Sequence, residues 1–457
     1  MPKKIAIRAD GSLSRGSGHI RRCLTLADKL SGPNCDVTFF TRGSTGDFCA
    51  LIESHGHTVK VLSLPGLDHI GVNDSDVWSK DAQLEDSQAC LTAANGIVYD
   101  WMILDHYNID KTWQKLTKKI YSYLLVIDDL ANREHDCDML IDQNLGRDIS
   151  DYSDLLPQRT VSLCGPSFAL LRPEFEELRS QSLRRRSDSV VHSILVFMGG
   201  TDINNITYNV LSSLLNAKLN FLKELVVVMG SSSNSILDIK ALLNDFQCNT
   251  ELLVDTKVIH ERMLLSDLSI GAAGGAAWER CCLGLPSILI TVADNQKEGS
   301  KALVDAGAAE AIDFSESSNN SLIKTIQRLS TGNNLSVMSS KAASICDGGG
   351  INRVFSQMCI IDNSLLHARC ANIEDEALLL EWANDPVTRQ NAINQKRISE
   401  VQHANWFKEK LLDSDRCIIY IVKLPNGDNL GQVRFEKSEN KWFIDYSISP
   451  IYRRQGL

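Results

Sequence analysis

IRADGSLSRGSGHIRRCLTLADKL, residues 7–30, carries the pattern on which the fold turns. The apolar run KIAIRA feeds a small polar loop with Gly16 and Gly18. Then Ile20, Cys23, Leu24, Ala27 and Leu30 recur at the spacing of a helix with one apolar face. Strand, short loop and helix make the repeating unit of a parallel sheet covered by helices. The alternation extends outward from there. DVTFFT, TVKVLS, WMILD, SYLLVID and DMLID follow as strands within the first 160 residues, and several are apolar throughout, as strands buried on both faces are. HSILVFMGG, ELVVVMG, TELLV, DLSIGAAGG and PSILIT form a second series. The expectation is an α/β protein with two similar halves, residues 1–180 and 190–355. Ligands in such folds bind at the carboxyl ends of strands, and a cleft between the halves is the expected site.

Two segments break the alternation. SQSLRRRSDS, residues 180–189, is basic and serine-rich, and fits either an interdomain linker or a solvated helix end. After DGGGINRVFSQM the order becomes strand, helix, helix and three strands: LHARC, IEDEALLLEWAND, ISEVQHANWFKEKLL, CIIYIVK, NLGQVRFEK and KWFIDYSIS. That is α+β, and a third domain is expected at residues 365–457.

Composition narrows the partners. A formal net charge of −10 gives no global basic field for nucleic acid or an anionic membrane, so neither is expected as a partner. The thirteen cysteines form no C-x-x-C pair, and Cys281-Cys282 lies in an apolar helical stretch that suits buried free thiols. MPKKIAIRADG has no apolar core of a signal peptide, and CCLGLPSILITVA is too short to span a bilayer. A cytoplasmic location is the expectation.

The loop before the first helix is not a dinucleotide fingerprint. Gly16 and Gly18 fit G-x-G-x-x-G, but the third position is Arg21, and the second strand ends in Thr41-Arg42 with no acid for a ribose. His19 stands at the mouth of the helix, where the positive end of the dipole disfavours imidazolium and a neutral ring can accept a proton. A histidine with only a packing role near the cap fits equally. Arg21 and Arg22 occupy the first turn, a costly place for cations unless an anion is near, and a solvated pair is the plain alternative.

In the second half, Gly199 and Gly200 follow a strand and precede a helix, as in a phosphate-binding nest or a plain tight turn. Gly274 and Gly275 open another helix, and Glu279 lies one turn on. A carboxylate there can accept both hydroxyls of a ribose, or can simply cap the helix. The next strand ends in Asp294-Asn295-Gln296, polar groups where an active site is expected. His55-Gly-His57 has ligand chemistry but no third partner in spacing. His106 and His135 follow strand ends and are candidates to line the cleft. Asp105, Asp128, Asp129 and Asp142 end strands, and the Asp128-Asp129 pair alone is weak evidence for a metal.

RADGSLSRGSGHIRRCLTLA, DDLANREHDCDMLIDQNLG, LLRPEFEELR, ILVFMGGTD and WERCCLGLPSILITVADNQ together resemble one family from about residue 4 to 355. It is the UDP-2,4-diacetamido-2,4,6-trideoxy-β-L-altropyranose hydrolase of pseudaminic acid biosynthesis, related to glycosyltransferases of the GT-B fold. The resemblance implies two Rossmann-like domains, with a UDP-linked amino sugar as substrate, UDP held by the second domain, and no metal or cofactor. It makes His19 the general base for a water that attacks the anomeric carbon with inversion. Glu279 would hold the ribose and Asn295 would lie beside sugar and diphosphate. Gly18, Arg22, Gly199, Gly200, Gly274, Gly275 and Gln296 complete the expected substrate contacts. The chain departs from the family at Ala276 and Ala277, where hydroxyl residues are frequent, and at Met198, where phenylalanine is common.

LHARCANIEDEALLLEWANDPVTR, HANWFKEKL, GQVRFE and IDYSISPIYRRQG resemble the GNAT N-acetyltransferases, in particular those acting on 4-amino groups of UDP-linked sugars. Arg453 and Gly456 fall on that family's coenzyme A loop, which is incomplete at Leu457. The expectation is a partial GNAT domain that does not bind acetyl-CoA productively. Two other functions fit the whole pattern: a GT-B glycosyltransferase using a UDP-amino sugar donor, and a non-catalytic nucleotide-sugar binding protein.

Overall fold

The computed structural model describes residues 2–11, 17–43, 48–63, 77–186, 190–200, 202, 205–291, 296–313, 319–392, 394–439 and 441–453. Seven strands form the first sheet: β1 (Lys3–Ala9), β2 (Cys35–Arg42), β3 (Thr58–Leu62), β4 (Tyr99–Asp105), β5 (Tyr121–Ile127), β6 (Met139–Asp142) and β7 (Val161–Cys164). They are ordered β3-β2-β1-β4-β5-β6-β7. The second sheet holds β8 (Ser193–Phe197), β9 (Glu224–Met229), β10 (Asn249–Val254), β11 (Leu268–Ala272), β12 (Ser287–Ile290) and β13 (Glu310–Ile312), ordered β10-β9-β8-β11-β12-β13. The pairings among the described residues of both sheets are parallel. In each, the strand order reverses beside the first strand, between β1 and β4 and between β8 and β11. That reversal opens a crevice at the carboxyl ends of those strands. Register brings Ala9 level with Asp105, and Phe197 level with Gly271.

The helix Gly18–Leu30 forms as its periodicity requires, with Ile20, Cys23, Leu24, Ala27 and Leu30 buried. Each sheet has its own apolar core. Met102, Leu104, Leu124, Val126 and Leu140 center one. Val196, Val227, Ile270, Ile288 and Ile290 center the other. Residues 180–185, expected in a linker or a solvated helix end, are the end of a helix, Pro173–Arg185. That end is not solvated throughout. Arg186 is buried and donates to the carbonyls of Met263, Ser266 and Leu283, which closes the carboxyl ends of two neighbouring helices.

The third sheet is antiparallel: β14 (His367–Cys370), β15 (Cys417–Lys423), β16 (Asn429–Ser438) and β17 (Lys441–Ile448), in that order. Helices Glu376–Asn384 and Glu400–Leu412 pack Leu379, Trp382 and Phe407 against Ile419 and Ile421. The chain divides into two compact units. Lys4–Asp28 with Val37–Ile351 holds both parallel sheets. Met1–Lys3, Lys29–Asp36 and Asn352–Leu457 hold the antiparallel one. No helix among the described residues is long and apolar enough to cross a membrane.

Candidate active site

His19 is the second residue of its helix, and its Nδ1 lies 2.6 Å from Oδ1 of Asp105, the last residue of β4. The strand order makes the pair: β4 lies directly beside β1, from whose end the histidine loop departs. Asp105 is buried. Burial alone would raise its pKa, but the Arg22 guanidinium and the His19 ring outweigh it and hold the carboxyl well below the usual range. An ionised carboxylate only accepts, so Nδ1 of His19 carries the hydrogen. In the neutral ring Nε2 then keeps its lone pair, and it has no partner among the described residues.

Arg22, one helical turn on, faces the same way as His19. Its Nε and Nη2 donate to the two oxygens of Asp105 at 2.6 and 2.7 Å, and its Nη1 donates to Asp129 at 2.6 Å. Tyr107 donates its hydroxyl to Asp129 at 2.8 Å and sets its ring edge-on to His19, with centroids 4.5 Å apart. Arg22 is expected from the sequence to contact substrate; here it binds two carboxylates, one of them the partner of His19. Arg21 is exposed and bonds Ser17 through Nε. The first-turn cations thus separate into one inward ion pair and one outward residue.

A buried brace lies behind the base. Arg8 in β1 is forked onto Asp10 and Asp86, and Asp10 also accepts from Arg42 and from His106 Nε2. Asp10 marks the end of β1, where the histidine loop begins. His106 therefore serves this brace. His135 is buried against Gln114, and burial pushes its pKa down to about 4. His55 and His57 both bond Asp28. Asp128 pairs with Arg133 and Tyr152, and Asp129 with Arg22 and Tyr107. No group of three or more histidine, cysteine or acidic residues suited to a metal occurs among the described residues.

The second half presents its glycines at the facing strand ends. Gly199 has φ +98°, a conformation that disfavours any side chain, and a Cβ on Gly200 would lie 3.4 Å from Ser17 Oγ. The histidine loop and the Gly199-Gly200 turn therefore meet. The helix that follows, Ile206–Ala217, is closed to an anion. The Asp202 carboxylate accepts from the amides of Ile206 and Thr207, at 2.9 and 3.1 Å. A phosphate nest at that helix is thus not what the structure offers, because a protein carboxylate fills it. The Gly274-Gly275 turn keeps open space. A Cβ on Gly275 would touch nothing within 4 Å, and one on Gly274 would come 3.6 Å from Gln296 Nε2.

Glu279 is half-buried, and its carboxylate accepts no hydrogen bond from any described residue. Burial pushes its carboxyl up, against the opposing charges of Arg172, Arg280 and Arg21. Arg21 belongs to the first half, so its influence again brings the two halves together around this carboxylate. Gly18, also at the loop, is exposed, with space around it. Asn295 and Gly456 lie outside the described residues. Arg453 belongs to the other unit, where Asp385, Thr388 Oγ1 and the Ile448 carbonyl engage all three of its guanidinium nitrogens. Reading the sequence singles out His19 and Glu279 but not the pairing of His19 with Asp105. The available signal is a carboxylate at the end of the strand that neighbours β1.

Residues 193–348 match the glycosyltransferase family 28 C-terminal domain. The crystal structure of Acinetobacter baumannii MurG superposes over 77% of this chain and 98% of its own length, with a TM-score of 0.52 at 16% identity. The fold is GT-B. Among curated relatives, an uncharacterized protein of Methanocaldococcus jannaschii is 26% identical over 301 residues, which is 65% of this chain and 57% of that protein. The UDP-2,4-diacetamido-2,4,6-trideoxy-β-L-altropyranose hydrolase of Campylobacter jejuni is 25% identical over 304 residues, 66% of this chain and 97% of that enzyme. In this GT-B protein His19 and Asp105 belong to the half built on the first sheet, and the glycine turns and Glu279 to the half built on the second.

Proposed function

We propose that the GT-B unit hydrolyses UDP-2,4-diacetamido-2,4,6-trideoxy-β-L-altropyranose. The observation that carries this reading is the His19–Asp105 pair, with Nδ1 donated to a buried carboxylate and Nε2 left as the acceptor. Likeness to the Campylobacter hydrolase over nearly all of that enzyme's length supports the substrate. Nε2 takes a proton from water as the water oxygen bonds to the anomeric carbon. The bond from that carbon to the diphosphate oxygen breaks, its electron pair leaves with UDP, and the sugar inverts. Asp105 holds the ring and balances the imidazolium that forms. Glu279, whose carboxylate has no donor among the described residues, accepts the ribose hydroxyls.

The match of residues 193–348 to a glycosyltransferase domain favours a second reading, in which the same base deprotonates an acceptor hydroxyl. One experiment separates the two. The UDP-sugar is incubated in ¹⁸O-labelled water with no acceptor, and products are followed by NMR and mass spectrometry. Hydrolysis predicts UDP release, label in the sugar and an inverted first product. Release only on adding an acceptor would establish transfer instead. Label in UDP would mean attack at phosphorus and would overturn both. His19→Ala is expected to abolish release and leave UDP affinity near wild type.

A further inference from the structure

Under the glycine turns of the second half lies a cation with no carboxylate upon it among the described residues. Arg280, in the helix Ala276–Cys282, is 1% exposed. Its Nη2 donates to the Ala272 carbonyl at 2.6 Å, while Nε and Nη1 have no acceptor among the described residues. No ion pair among those residues includes it. Burial pushes the guanidinium down to about 10, with Glu279 and the Cys281 thiol acting on it weakly in the other direction. A buried arginine normally finds a paired anion, and an uncompensated one is costly.

The chain makes room for this costly group. A Cβ on Gly271 would come 2.7 Å from Arg280 Nη1 and 2.5 Å from the Phe197 carbonyl. The Phe197 carbonyl already excludes a side chain at Gly271, and the guanidinium end lies in the space so left. The charge therefore lies beneath the carboxyl ends of β8 and β11, the strands that run on into Gly199-Gly200 and Gly274-Gly275. The first of these turns meets Ser17 of the histidine loop. A buried positive charge at that place has its natural counterpart in a multiply charged anion held over the turns.

We propose that Arg280 is a positioning residue for a nucleoside diphosphate. It does not touch the ligand; its charge acts through the strand ends on the diphosphate, and it favours the leaving group as negative charge gathers there. The proposal rests on the reading that the second half holds UDP. It goes beyond that reading in assigning the selectivity for diphosphate over uncharged nucleoside to one buried side chain.

The test is isothermal titration of wild type, Arg280→Met and Arg280→Lys with UDP and with uridine. Arg280→Met is expected to weaken UDP about tenfold, or about 1.4 kcal/mol, with uridine unchanged. Arg280→Lys is expected to recover most of that loss, since it restores the charge without the fork. Equal weakening of both ligands in Arg280→Met would show a merely structural role and overturn the assignment. So would undiminished UDP binding. Should Arg280→Met not fold, Arg280→Gln, which keeps a donor for the Ala272 carbonyl, carries the same comparison. Wild-type protein that binds no UDP would sink the nucleotide reading itself, an outcome distinct from failure of the variants alone.

Discussion

Nδ1 of His19 is committed to Asp105, and that commitment decides which nitrogen does chemistry. An amide in place of the carboxylate can offer its NH₂ to Nδ1 and so stabilise the opposite tautomer, with the hydrogen on Nε2. It also leaves Arg22 one carboxylate short. Asp105→Asn is therefore expected to lower the rate of UDP release by about 10²- to 10⁴-fold, while UDP affinity stays near wild type. The measurement is single-turnover release beside a calorimetric Kd, with thermal unfolding as a check on folding. A variant that kept its rate would remove Asp105 from the mechanism. Tyr107→Phe tests a milder point. It keeps the ring against His19 and deletes only the bond to Asp129, so a small loss in rate is expected.

At the scale of elements, the end of β1 is fixed by Arg8, Asp10 and Asp86, all buried. Arg8→Met would leave the buried Asp86 carboxylate without its cation, while Asp10 keeps Arg42, and removing one partner of a buried ion pair costs about 3–5 kcal/mol. That loss is expected in urea unfolding, as a lower midpoint with an unchanged slope. Adding Asp86→Leu to Arg8→Met should restore part of it, because the unpaired charge goes with its partner. These long-range pairs also show where sequence reading reaches its limit. Apolar runs and helical spacing announce β1, β4, β8, β11 and the helix Gly18–Leu30, because burial on both faces or on one stripe writes itself into the residue order. β7, VSLC, lacks the apolar run that marks β6 and β12 at the same length, and β13 has only three residues. His19 and Asp105 are 86 positions apart, and Arg22 and Asp129 are 107 apart. Such pairs follow from strand order, which local periodicity does not encode. Arg280 is hidden for another reason. In WERCC it looks like an ordinary polar position on a helix, and only the missing side chain of Gly271 shows where it can go.

For the whole molecule, two buried groups pull the pH dependence of stability in opposite directions. Burial, helped by the nearby Asp129 charge, lifts Asp142 from 3.8 to about 7, and this outweighs its contact with Arg147. Between those values the folded state holds a proton that the unfolded chain has lost. Asp142 therefore makes stability rise as pH falls from about 7 toward 4, at up to about 1.4 kcal/mol per pH unit. His135 does the reverse. Burial lowers it from 6.5 to about 4, so in that window the unfolded chain binds the extra proton, and stability falls as pH falls, with a similar slope. Their windows overlap, so the two slopes largely cancel between about pH 4 and 6.5. Single substitutions are expected to expose each one. In His135→Gln the Asp142 contribution remains, and stability should rise on acidification from pH 7 to 5 relative to wild type. In Asp142→Asn the His135 contribution remains, and stability should fall over the same range. Urea unfolding at several pH values reads both slopes. Parallel curves for the two variants would show that neither group titrates as its surroundings dictate.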